Sequence, residues 1–233
     1  MNQFLYSVSF RVSFYSLPVF MSQYVSSLAE LYPDARYREL PISQTEGQLI
    51  DIDTIASELD IPIVNLLEQK NYVFEGIVVG GLMVNVYVSP YYVYVHIPVD
   101  ENSVIGDTLG TDIDRIFSFE LLAKVQIQEC SCQVGHYLNM RPSEILESGV
   151  LDLDAFPQLY PEEISTGRFS DSHLSEDGYE LKLVREISKG KDLETDEPYL
   201  GINIQSIASA RTANGNSYYL FEQALSEAAR CFK

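Results

Sequence analysis

The chain opens on strict alternation. Phe4, Tyr6, Val8, Phe10, Val12 and Phe14 fall on one parity, and Ser7, Ser9, Arg11 and Ser13 on the other. A period of two predicts a long strand with one face on a core and one in water. The period then changes. Phe20, Met21, Tyr24, Val25, Leu28 and Leu31 recur at helical spacing up to Pro33. Ser16 is placed to cap that helix, and Pro18 sits in its first turn, where a missing N–H does no harm. A second helical stretch is expected over 53–69, interrupted at Pro62.

The densest β pattern is NYVFEGIVVGGLMVNVYVSPYYVYVHIP (71–98). Gly80-Gly81 and Ser89-Pro90 divide it into three runs, which predicts a three-strand antiparallel meander. In its last run Tyr92, Tyr94 and His96 share one face, with Val93, Val95 and Ile97 opposite. Beyond it the pattern predicts a helix at 112–122, a long strand at 123–138 and a short helix, PSEILES, stopped by Gly149. Residues 157–178 read as loop, 179–187 and 199–207 as strands. A closing helix at 216–232 carries Leu220, Phe221, Ala224, Leu225, Ala228 and Phe232 as its apolar stripe. The fold class expected is α+β: a mainly antiparallel sheet, with a long N-terminal strand and a central meander, packed against several helices including a long C-terminal one. Residues 1–233 then form one domain, or two intimately packed halves at 1–110 and 111–233. The long first strand could lie at a sheet edge, where it would be open to pairing in a homo-oligomer.

Composition narrows the class. With 233 residues and 46% hydrophobic positions, the chain can bury a core without metals or disulfides. Three cysteines and no basic leader predict a reducing, cytoplasmic setting. No run approaches the roughly 18 apolar residues of a membrane helix. The net charge is −19, and residues 144–197, an acidic, loop-rich segment, hold 15 acids against 5 bases. Phosphate backbones are bound by Lys and Arg, so such a balance predicts no nucleic-acid partner. The stretch IASELDIPIVNLLEQ (55–69) has the rhythm of a helix-turn-helix, but it lacks the basic and polar residues a reading helix presents.

Candidate chemistry is sparse. ECSCQVGH (129–136) places Cys130, Cys132 and His136 on one side of a strand, with Val134 and Leu138. Thiolate and imidazole are zinc ligands, yet a structural site needs four, and no second matching pair is present. Core packing is the better reading, so no metal and no cofactor is expected. A Cys–His nucleophile would need a base from His96 or His173, since His136 is too far along an extended strand from Cys132. Three Asp-x-Asp pairs, Asp51/Asp53, Asp112/Asp114 and Asp152/Asp154, could hold a divalent cation, but no phosphate-binding loop accompanies them. Helix capping or plain solvation accounts for them better.

The expectation is a non-enzymatic interaction protein binding a basic protein partner, in the manner of an inhibitor, antitoxin or immunity-type neutraliser. Tyr92, Tyr94, His96 and His136 are the candidate binding residues, because Tyr joins apolar area to a hydroxyl handle. The alternatives are a small-molecule domain with a cavity between the sheet and the C-terminal helix, and a metal-dependent enzyme built on the Asp pairs.

Overall fold

The computed structural model describes residues 5–14, 21–44, 57, 69–100, 102–117, 127–156, 166–191, 193–210 and 217–233. In chain order the elements are β1 (Leu5–Phe14), α1 (Met21–Leu31), β2 (Arg36–Pro41), β3 (Lys70–Val79), β4 (Leu82–Val88), β5 (Tyr92–Pro98) and α2 (Leu109–Phe117). They continue with β6 (Ile127–Met140), α3 (Pro142–Ser148), a 3₁₀ turn (Leu153–Ala155), β7 (Gly167–Leu174), β8 (Glu180–Lys191), β9 (Pro198–Ala210) and α4 (Ser217–Ala229). The nine described strands form one antiparallel sheet in the order β2-β3-β4-β5-β1-β6-β9-β8-β7. The protein is therefore α+β, with a large antiparallel sheet packed against helices. The helical stretch expected at 53–69, the Asp51/Asp53 pair, Ser16 and Pro18 lie outside the described residues, Ser57 and Gln69 excepted.

The order has an internal repeat. Each half starts with a strand and a helix, runs through a meander whose last strand returns beside the first, and closes with a helix. Outward from the β1–β6 seam the strands run β5, β4, β3 on one side and β9, β8, β7 on the other. β1 is thus the centre of the sheet. The expectation that it forms an edge is overturned, because β5 and β6 hydrogen-bond both its sides. Among the described strands the edges are β2 and β7. RYRELP and GRFSDSHL are mostly exposed and polar, so neither shows an apolar period in sequence. The expected loop over 157–178 in fact contains β7, whose charged side chains blunt an open edge.

The four described helices cover one face. Phe10 pairs with Val95 and Cys132, and Cys132 with Ala208, so these residues share a side with Val8, Val12, Val134 and Leu181. Tyr24, Val25 and Leu28 of α1, Ile113 and Ile116 of α2, and Leu220, Phe221 and Ala224 of α4 complete that core. A second cluster lies on the same side of the sheet, with Ile145 of α3 against Leu138, Leu183, Ile187 and Ile202. Side chains of α4 pack on the sheet, with the Phe221 and Phe10 rings 6.5 Å apart.

Short polar contacts fix the helices. Asp112 Oδ2 accepts from Thr108 Oγ1 (2.9 Å) and from the amide of Gly80 (3.0 Å), tying α2 to the Gly80-Gly81 turn. Both glycines have positive φ, as a two-residue hairpin turn of this hand requires. Asp114 Oδ1 accepts from the Ser217 amide (3.2 Å) at the start of α4. Asp152 accepts from the Asp154 amide at the 3₁₀ turn. Asp152 caps its own turn, whereas Asp112 and Asp114 lie inside α2 rather than ahead of it, and accept from amides of other elements. α2 and α4 also touch closely. A Cβ built on Gly110 would sit 2.5 Å from Tyr218 Cβ, an atom with no freedom to move aside. Gly110→Ala is therefore expected to force the helices apart and lower stability by about 1–3 kcal/mol in urea unfolding, despite alanine's better helix propensity.

Candidate functional site

The opposite face of the sheet carries no helix among the described residues. Its register places Ser7, Ser9, Arg11 and Ser13 of β1 beside Tyr92, Tyr94 and His96 of β5. On the other flank stand Glu129, Ser131, Gln133 and Gly135 of β6. Asn203, Gln205, Ile207 and Ser209 of β9 come next, then Glu180, Lys182, Val184 and Glu186 of β8. Asn85, Tyr87 and Met83 of β4 extend it the other way, Met83 being 75% exposed. Tyr6 joins this face as well. The sequence period assigns it to the core, but a β-bulge between Leu5 and Ser7 turns Leu5 inward instead. Tyr6 then lies over Gly135, and its hydroxyl donates to Asn203 Oδ1 (3.1 Å).

Charge on this face is nearly balanced. Among the described residues Arg11, Arg36, Arg38, Arg168 and Lys182 stand against Glu75, Glu129, Glu180 and Glu186. In a chain of net charge −19 the acid excess therefore lies elsewhere. The face is instead rich in Tyr, Ser, Asn and Gln.

A cavity of about 410 Å³ opens at the β1–β6 seam, lined by Ser9, Arg11, Ser13, Tyr94, Glu129, Ser131, Gln133 and Ile207. The Arg11 guanidinium lies 4.6 Å from the Tyr92 ring centroid, and its Nε donates to Ser13 Oγ (3.1 Å). Tyr94 stacks on His96 at 6.3 Å and lies 6.0 Å from Tyr87. The Glu129 carboxyl titrates above the ordinary carboxylate range: desolvation raises it most, Glu180 adds to this, and Arg11 opposes it. No ion pair joins Arg11 to Glu129 among the described residues.

The other candidates lie on the helix side. Cys130 and Cys132 are buried, as is Cys231 near the C-terminus. Burial pushes the Cys130 thiol up to about 12 and the Cys231 thiol up to about 11, and Cys132 is raised as well. All three stay protonated at neutral pH and make poor nucleophiles. His136 is 2% exposed, lies 5.2 Å from the Phe232 ring, and its Nδ1 has no hydrogen-bond partner among the described residues. Desolvation lowers it to about 4. His96 and His136 are on opposite faces, while His173 reaches Glu227 of α4 at 3.7 Å. Among the described residues no three His, Cys, Asp or Glu side chains come together to hold a metal ion.

Tyr92, Tyr94 and His96 thus border the groove, and Tyr94 lines it; His136 belongs to the core. The residues missed from sequence are Ser9, Arg11, Ser13, Glu129, Ser131, Gln133 and Ile207. The signal for those on β6 lay inside ECSCQVGH, at the parity opposite to its cysteines. No helix among the described residues is long and apolar enough to cross a membrane. No protein-family model matches the chain, and no curated protein matches it.

Proposed function

We propose that the chain is a non-catalytic binding protein that docks a basic protein partner on the bare face of its sheet, the one that carries no described helix. The observation that carries this reading is the contrast between that near-neutral, Tyr- and Ser-rich face and the −19 charge of the whole chain. Docking cores are depleted of charge and enriched in Tyr, Met and Arg, and the charged surroundings steer the encounter. Tyr supplies large contact area at little entropic loss, and Ser and Asn supply adaptable hydrogen bonds. A neutraliser of a basic effector fits this division, with the acidic surface attracting and the bare face holding.

Tyr92→Ala combined with Tyr94→Ala is expected to abolish stoichiometric capture of the partner from native lysate. Leu146→Ala, an exposed change on α3, should leave capture intact. Capture should weaken as salt rises. Equal capture by both variants would reject the bare face as the docking surface.

A further inference from the structure

The groove at the β1–β6 seam has a chemistry of its own, independent of any protein partner. Ser9, Ser13, Ser131, Tyr94 and Gln133 can each donate and accept hydrogen bonds. A lining of this kind suits ligand groups that also do both, and hydroxyls are the most compact of these. A carboxylate or phosphate only accepts, and an ammonium only donates. The two charged residues point to the same class. Arg11 offers donors and Glu129 offers acceptors, yet they form no ion pair with each other, so both can address hydroxyl groups. An anion would meet Glu129 with Glu180 beside it, and a simple cation would meet Arg11. Glu129 accepts no hydrogen bond among the described residues. The Tyr94 ring and Ile207 supply apolar walls against which C–H surfaces can rest. The volume of about 410 Å³ lies within the roughly 300–1,000 Å³ of small-molecule sites, and its place where two halves of a fold meet is a common one.

From this lining we infer that the groove is a binding site for a neutral, sugar-sized polyol. Arg11 and Glu129 bracket the ligand's hydroxyls, the three serines and Gln133 complete the hydrogen bonding, and Tyr94 and Ile207 pack on its carbon face. The inference stands or falls separately from partner docking.

The test is titration of the isotopically labelled full chain with glucose, galactose, N-acetylglucosamine and maltose, read by two-dimensional NMR. Glycine, arginine and inorganic phosphate form the comparison set. At least one sugar is expected to shift the amides of residues 9–13 and 129–133 in a saturable way, with the comparison set leaving them unmoved. Glu129→Gln and Arg11→Met should each weaken that sugar about tenfold or more, as loss of a charged hydrogen-bonding partner does. Ser172→Ala, on the same face near the β7 edge, should leave it unchanged. Should the substitutions unfold the chain, the map of shifted amides in the unmodified protein decides alone. No shift with any sugar would overturn the inference. So would saturable shifts with phosphate, glycine or arginine instead, or sugar shifts confined to amides outside the groove.

Discussion

Phe10→Ala is expected to destabilise the protein by about 3–5 kcal/mol, the range for emptying a fully buried aromatic site. Phe10 is 1% exposed, pairs with Val95 on one side and Cys132 on the other, and meets the Phe221 ring from above. Strands hydrogen-bonded on both flanks cannot close in on the hole. The change is a large share of the roughly 5–15 kcal/mol that holds a domain folded. Ser9→Ala, one residue away on the bare face, should fall within about 0.5 kcal/mol of the unaltered chain. Urea unfolding of the pair checks this. A small effect at Phe10 would mean that β1 is not the central strand, and with it the placement of Ser9, Arg11 and Ser13 in the groove would fail.

The second large effect concerns acid. His136 has its pKa lowered from 6.5 to about 4 by burial, so the folded state holds the imidazole neutral and the unfolded state binds the proton more readily. Its contribution is fully present above pH 6.5 and is lost as pH falls from there through about 4. The shift corresponds to about 3 kcal/mol at most. His136→Leu keeps an apolar side chain against Phe232 and removes the titration. Stability measured from pH 7.5 to 4 should fall less steeply in the variant, with the two curves separating below pH 6.5. Parallel curves would show that the imidazole is solvated in the folded chain.

Much of the architecture was legible in the pattern of the chain. Strands that bury one face and expose the other write their parity plainly, as in Val8, Phe10 and Val12 or Val93, Val95 and Ile97. The last helix and the short one ending at Gly149 were legible from their stripes and stop signals. The two edge strands were not, because RYRELP and GRFSDSHL keep both faces largely wet. Nor was the bulge at Tyr6 readable, since one inserted residue leaves no mark on composition. The β1–β6 pairing that builds the groove joins residues more than a hundred positions apart. Sequence showed Ser9, Arg11 and Ser13 as a polar side and Tyr92, Tyr94 and His96 as another; only the strand order makes them one surface. Cysteine and histidine drew attention to the wrong side of β6, because reactive side chains stand out in sequence while serine and glutamine do not.

The central claim is that this face, and not the helices, meets the partner. Hydroxyl-radical footprinting of the native complex tests it most directly, because tyrosines mark both sides of the molecule. Tyr87, Tyr92, Tyr94 and Tyr137 lie on the bare face, and Tyr218 and Tyr219 lie on α4. Protection of the first four with Tyr218 and Tyr219 unchanged is the predicted result. Protection of Tyr218 and Tyr219 with the bare-face tyrosines still fully reactive would contradict it.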